Sequence, residues 1–118
     1  MREKLTPHLR GIINSPGISR QYLEDPNNSI GGYNDPLMED SHEVVKGLIH
    51  KYKNRALIKV SYQCAAHCRF CTRIRQIGDP SGNLADDEIK NIISYLKRHS
   101  EIEDVILSGG DPFLTPNI

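Results

Sequence analysis

No cysteine lies outside residues 64–71, and no net charge remains when 15 lysines and arginines are set against 15 aspartates and glutamates. Each thing the sequence lacks excludes something. Without a run of about eighteen apolar residues there is no membrane-spanning helix. The N-terminus, MREKLTPHLRGIINSPG, carries charge but no sustained apolar core, so no secretory signal is visible. An odd number of clustered thiols argues against a secreted disulfide framework and for a reducing, cytoplasmic setting. There is no internal repeat and no low-complexity tract. What is left at 118 residues is a soluble globular composition long enough for one modest domain.

The zero balance hides an asymmetry. Residues 21–45 carry six acids (Glu24, Asp25, Asp35, Glu39, Asp40, Glu43) and no lysine or arginine, whereas residues 46–75 carry eight bases and no acid. A basic field of this kind suits an anionic partner such as a phosphate or carboxylate, with a plain solvated face as the alternative.

Residues 16–36, PGISRQYLEDPNNSIGGYNDP, have the composition of loop and short turns. Ser41 is placed to cap a short helix over residues 42–52, against which Gly47 and the β-branched pair Val44–Val45 favour an extended or irregular path. The first clear element is Ala56–Tyr62, apolar and β-branched, which predicts a strand ending at the cysteines. Residues 78–83, GDPSGN, predict a loop. Asp86, Asp87 and Glu88 then open a helix with Ile89, Ile92, Ile93 and Leu96 on one face, closed by Lys97, Arg98 and His99, so both ends complement the macrodipole. A second strand is predicted at Asp104–Ser108. Strand, helical crossover and strand make a βαβ unit with a parallel pair, and the fold class is α/β. The cysteines and Gly109-Gly110-Asp111 then follow the C-terminal ends of neighbouring parallel strands, the edge where such sheets bind ligands. The division expected along the chain is a loop-rich extension over residues 1–40 and the start of a barrel domain over residues 41–118.

The cysteines, CAAHCRFC, place Cys64, Cys68 and Cys71 where a single loop can aim three soft ligands at one point. Three is one short of the usual complement for zinc, and a Cys3His site would need His67 or His50. His67 sits inside the loop, where it is poorly placed to join the same tetrahedron. Three thiols that coordinate nothing are the remaining plain reading. A cubane four-iron cluster fits the count better, because three cysteines leave one iron free for an outside ligand.

CxxxCxxC with Phe70 before the last cysteine resembles the signature of the radical S-adenosylmethionine superfamily. The resemblance implies a TIM-like barrel, a [4Fe-4S] cluster on Cys64, Cys68 and Cys71, and S-adenosylmethionine chelating the open iron, cleaved by one electron to a 5′-deoxyadenosyl radical. GGDP at Gly109–Pro112, with Ser108 before it, is similar to the family's second motif, which receives the methionine amino group; glycines allow close approach and an ammonium needs acceptors. DPLMED, GLIHKYKNRALIKV, CAAHCRFCTRIR and VILSGGDPF resemble successive blocks of the lysine 2,3-aminomutase family. That similarity implies pyridoxal phosphate as a second cofactor, hydrogen abstraction from the β-carbon of an amino acid held as an aldimine, and nitrogen migration from C2 to C3. By position, Arg69 and Arg73 fall among the arginines facing the active site, Arg73 being the one that pairs with the substrate carboxylate. Lys51, Tyr52 and Arg55 fall in the block beside pyridoxal phosphate, while Lys53, Lys59 and Arg75 are read as surface.

Ile74 departs from the family's common CTRRR, and Lys46 stands next to Gly47 where a proline is usual nearby. The aldimine-forming lysine and the substrate-selecting carboxylates lie further downstream in the family than Ile118. The expectation is therefore the N-terminal portion of such an enzyme, ending after the second barrel strand, inactive alone and with an open sheet edge. The implied partners are a small amino acid (lysine first, with glutamate and arginine sharing these blocks) or a translation factor modified with β-lysine. A flavodoxin or ferredoxin would serve as electron donor, the full-length form being a homo-oligomer, with no role for DNA or membrane. The alternatives are a radical enzyme without pyridoxal phosphate and a small iron–sulfur or zinc module without turnover.

Overall fold

In the computed structural model, which describes residues 3–25, 27 and 32–115, two short helices precede a four-stranded sheet, and a longer helix connects its last two strands. Two short helices come first: α1, Pro7–Ile12, and α2, Pro16–Tyr22. Each begins with a proline whose fixed φ and missing N–H suit the first helical turn, and the Thr6 hydroxyl caps α1 by accepting from Leu9 N at 3.2 Å. The loop expected over residues 16–36 is thus helical in its first third. Pro16 starts a helix here where its composition suggested a turn, while the Asn-Asn-Ser turn largely lies outside the described residues.

The segment from residue 42 to 52 takes the extended alternative. Ser41 sits in a 3-10 turn, Asp40–His42, followed by strands β1, Glu43–Val45, and β2, Leu48–Tyr52, which pair antiparallel. The β-branched valines favour the pleat, and Gly47 makes the turn with φ +83, a conformation other residues rarely adopt. Strand β3, Arg55–Ser61, follows across a tight hairpin in which Tyr52 pairs with Arg55.

Beyond the cysteine loop, helix α3, Asp86–Arg98, starts on three acids and ends on two bases, as predicted. The Glu88 carboxylate turns back to accept from Ala85 N at 2.8 Å, half of a capping box. Strand β4, Asp104–Gly109, then pairs parallel with β3, in register from Arg55 with Asp104 to Lys59 with Ser108, after which the register shifts and Ser61 pairs with Gly109. The strand order is β1-β2-β3-β4. The predicted βαβ unit is present, and the hairpin supplies β3 with the second neighbour that the sequence left open. The far edge of β4 pairs with no described strand, and Val105, Ile106 and Leu107 are exposed along it.

The two faces of the sheet differ. On the helix side Leu48, Ala56 and Ile92 form the core, with Ile58, Leu84, Tyr95 and Leu96 packed around them. Burying the Ile92 side chain contributes about 1.5–3 kcal/mol, and Ile92 is 2% exposed. Strand alternation puts Leu57, Lys59, Ile106 and Ser108 on the other face. Lys59 is wholly buried there, which corrects its reading as a surface residue. A lysine can only be buried with its charge matched, and its Nζ donates to Glu43 Oε2 at 3.1 Å.

Candidate active site at the C-terminal edge of the parallel pair

Strand β3 runs out at Ser61, and the chain reaches Cys64 three residues later. The exit is held from both sides. Gly110 N donates to Ser61 O at 2.6 Å and Asp111 N to Gln63 O at 2.7 Å. A Cβ on Gly109 would stand 2.3 Å from Ser61 O, and one on Gly110 would stand 2.2 Å from Gln63 O. Gly109 also has φ +118. The glycines therefore do something the sequence did not disclose: they let the end of β4 lie directly against the backbone that leads into the cysteines. The Asp111 carboxylate accepts from Phe113 N at 3.0 Å and caps the next short turn.

The cysteine loop is fastened by the N-terminal segment, for which the sequence suggested only a loop-rich extension. Lys4 Nζ donates to Cys64 O at 2.6 Å, His67 N donates to Lys4 O at 2.9 Å, and Arg69 N donates to Gln21 O at 2.7 Å. None of these bonds has a sequence signature, because two of the three use backbone groups alone. Within the loop, Cys71 N donates to Cys68 O at 3.2 Å.

All three thiols are half-buried and unpaired. Burial pushes the Cys64 thiol above its ordinary pKa, and the neighbouring Cys71, Asp111 and Cys68 add to the rise. Burial and then Cys71 do the same to Cys68. The three sulfurs are thus within one another's electrostatic reach. As placed, no three His, Cys, Asp or Glu side chains among the described residues stand close enough together to hold a metal ion. The donor set fits a soft-metal cluster in kind.

Arg73 is the most heavily bonded side chain of the region. Its Nε and Nη2 fork onto Glu39 at 2.7 and 2.5 Å, and its Nη1 donates to Ser108 Oγ at 3.0 Å and Gly109 O at 3.2 Å. The Glu39 bond holds the guanidinium even further above its ordinary pKa. Arg69, by contrast, has no side-chain hydrogen bond or ion pair among the described residues. Ile74 supplies no third cation.

An open apolar cavity on the Leu57 face takes in Lys51, Tyr52, Arg55 and Arg73 together with Ile49 and Ile106. The predicted set therefore shares one surface, but not equally. Arg55 lies at the start of β3, the end opposite the cysteines, and is forked onto Asp104 at 2.6 and 2.7 Å. Lys51 donates to Leu37 O at 3.0 Å and lies 5.9 Å from the ring centre of exposed Tyr52.

The basic run meets most of its counter-charges within the chain. Arg73 pairs with Glu39, Arg75 with Asp40 and Asp35, Lys59 with Glu43, and Lys46 with Glu88. The anionic partner inferred from the charge asymmetry is in large part the acidic segment just before it. Arg75, read as surface, is consequently tied down.

A family profile for the Radical SAM superfamily matches residues 58–118, just over half of the chain. The L-lysine 2,3-aminomutase of Methanococcus maripaludis is 45% identical over 80 residues, which are 68% of this chain and 18% of that protein. That of Clostridium subterminale is 32% identical over 97% of this chain and 29% of its own length. That of Escherichia coli is 38% identical over 70% of this chain and 24% of its own. The chain spans less than a third of each of these relatives. By the match over its βαβ unit, and with the cysteine loop and glycine turn set at one sheet edge, the chain belongs to the radical SAM superfamily.

Proposed function

We propose that this chain forms the cluster- and S-adenosylmethionine-binding part of a pyridoxal phosphate-dependent amino acid 2,3-aminomutase, with lysine as the substrate. The observation that carries the proposal is the pair of short backbone bonds from Gly110 and Asp111 to the exit of β3, which set the glycine turn beside a loop bearing three thiols and no other strong ligand pattern. The similarity to proteins named L-lysine 2,3-aminomutase supports the choice of reaction and substrate.

In this reading Cys64, Cys68 and Cys71 hold the cluster. Ser108, Gly109, Gly110 and Asp111 receive the amino group of S-adenosylmethionine. When bound, the cluster supplies the electron that opens the sulfonium, and pyridoxal phosphate activates the nitrogen that migrates. Arg69, with no side-chain partner among the described residues, offers its guanidinium to a carboxylate near the loop. Lys51 and Tyr52 border the cavity for pyridoxal phosphate, and Arg55 closes its distant end in its pair with Asp104. The thiols must lose protons to bind metal, and the raised pKa of Cys64 and Cys68 makes loading slower at neutral than at mildly alkaline pH.

Anaerobic reconstitution with iron and sulfide tests the reading. We expect a broad visible absorbance that changes when S-adenosylmethionine is added, and no cluster in Cys68→Ala. Uptake of zinc alone, with no response to S-adenosylmethionine, would refute it.

A further inference from the structure

We infer that residues 4–21 form a detachable strap over the cysteine loop, with Lys4 as its positioning residue, and that docking of the strap is coupled to metal binding by Cys64, Cys68 and Cys71. The coupling rests on the proposed role of the three thiols; the strap itself does not.

Where the bonds fall carries the inference. Lys4 brackets the interval between the first two cysteines, its Nζ donating to Cys64 O at 2.6 Å and its carbonyl accepting from His67 N at 2.9 Å. At the far end of the segment the Gln21 carbonyl accepts from Arg69 N at 2.7 Å, one residue past Cys68. The two attachment points are thus the two ends of the α1–α2 pair, and both lie on the loop rather than on the sheet.

The helical pair is not fixed by the core. No residue of α1 or α2 is buried, and helices this short do not stand alone in water. A polar cavity lined by Lys4, Arg10, Gln63 and His67 opens between strap and loop, so hydrogen bonds rather than packing set their spacing. Segments with few buried apolar contacts are the ones that open locally. The other fastening of the loop, from Asp111 N to Gln63 O, is independent of the strap, so the strap can open while the strand exit stays in place.

Coupling follows by reciprocity. The strap fixes the backbone at Cys64, His67 and Arg69, on either side of the first two thiols. A metal that favours the ordered loop favours the docked strap to the same extent, and the docked strap favours the metal. Losing the Lys4 ammonium frees the Cys64 carbonyl and loosens one end of the strap.

Amide hydrogen exchange on the metal-free chain tests the strap. In Lys4→Met, exchange at His67 and Arg69 is expected to accelerate together by about fivefold, as for the loss of one exposed hydrogen bond, while Asp111 and the amides of α3 keep wild-type rates. Lys4→Arg keeps a cationic donor and should restore wild-type exchange. Arg10→Met removes a cation from the same helical pair and should leave exchange unchanged. Unchanged exchange in Lys4→Met, acceleration at His67 alone, equal acceleration at every amide, or the same acceleration in Arg10→Met overturns the strap.

Trypsin tests the coupling, because Arg10 and Arg20 are exposed in the last turns of α1 and α2. Loading with iron and sulfide should slow cleavage after both arginines about tenfold. Loaded Lys4→Met should lose iron to a chelator about fivefold faster than the wild type. Equal cleavage of the loaded and metal-free chains, or equal iron loss from the variant, overturns the coupling. Uptake of neither iron nor zinc overturns the proposed role of the thiols and the coupling with it, while exchange at His67 and Arg69 still decides the strap.

Discussion

At Gly109, backbone conformation and contact distance point the same way. An alanine there would have to adopt φ +118 and bring its Cβ to 2.3 Å from Ser61 O. The neighbour is backbone and has no side chain to move aside, so Gly109→Ala should destabilise the chain by about 2–4 kcal/mol, read from urea unfolding. The thiols give a second test at this scale. Because burial and neighbouring charge raise Cys64 and Cys68, their folded forms stay protonated where an unfolded thiol would ionise. A group whose folded pKa is raised contributes stability below its unfolded pKa, about 8.5 for a thiol, and that contribution is lost as pH rises through the folded value. Alkylation of Cys64 and Cys68 in the metal-free chain by iodoacetamide, followed site by site, should therefore reach half-maximal rate at higher pH than for free cysteine. A midpoint at or below that of free cysteine would contradict the geometry.

Among the elements, the acidic segment before β1 and the strands it faces form a charge-matched pair. Glu43 reaches Lys59 across the sheet, and the Lys59 ammonium is held above its ordinary pKa: burial opposes this, but the bonds to Glu43 and Tyr62 outweigh it. The pair's contribution is complete below about pH 10, near the unfolded lysine value, and is lost as pH rises through the raised folded value. Lys59→Met should lower stability near neutrality by about 1–3 kcal/mol, below the range for a fully buried pair because Glu43 is only partly covered. It should also flatten the fall in stability above about pH 10, measured as the urea midpoint.

The legibility of this chain follows from how far apart in sequence its interactions lie. The strand at Arg55–Ser61, the helix at Asp86–Arg98 and the strand at Asp104–Gly109 were readable because each is fixed by local pattern: β-branched runs, helical spacing, acids first and bases last. The cysteines and the glycines were readable as chemistry for the same reason. What the sequence could not show are pairings between segments with no shared period, such as Glu39 with Arg73 or Lys4 with Cys64. Pro16 misled because proline marks both turns and first helical turns, and only the following residues decide between them.

For the molecule as a whole, the open edge of β4 is the exposed flank. A parallel strand is ordinarily covered on both sides and both faces, yet Val105, Ile106 and Leu107 are all exposed. Unprotected edges of this kind invite pairing with another strand. The chain is expected to associate in a concentration-dependent manner by light scattering, and Val105→Lys should reduce that association without lowering the thermal midpoint. Equal association in the variant would show that another surface is responsible. Among the described residues no helix is long and apolar enough to cross a membrane.

The stitching of Lys4 and Gln21 to the cysteine loop has a practical side. Anything fused ahead of Lys4 enters the neighbourhood of the thiols. A polyhistidine purification handle at that end would carry imidazoles toward Cys64, where they would compete for iron or recruit nickel and zinc from the column. Preparations intended for metal analysis are better made with any such handle removed before loading.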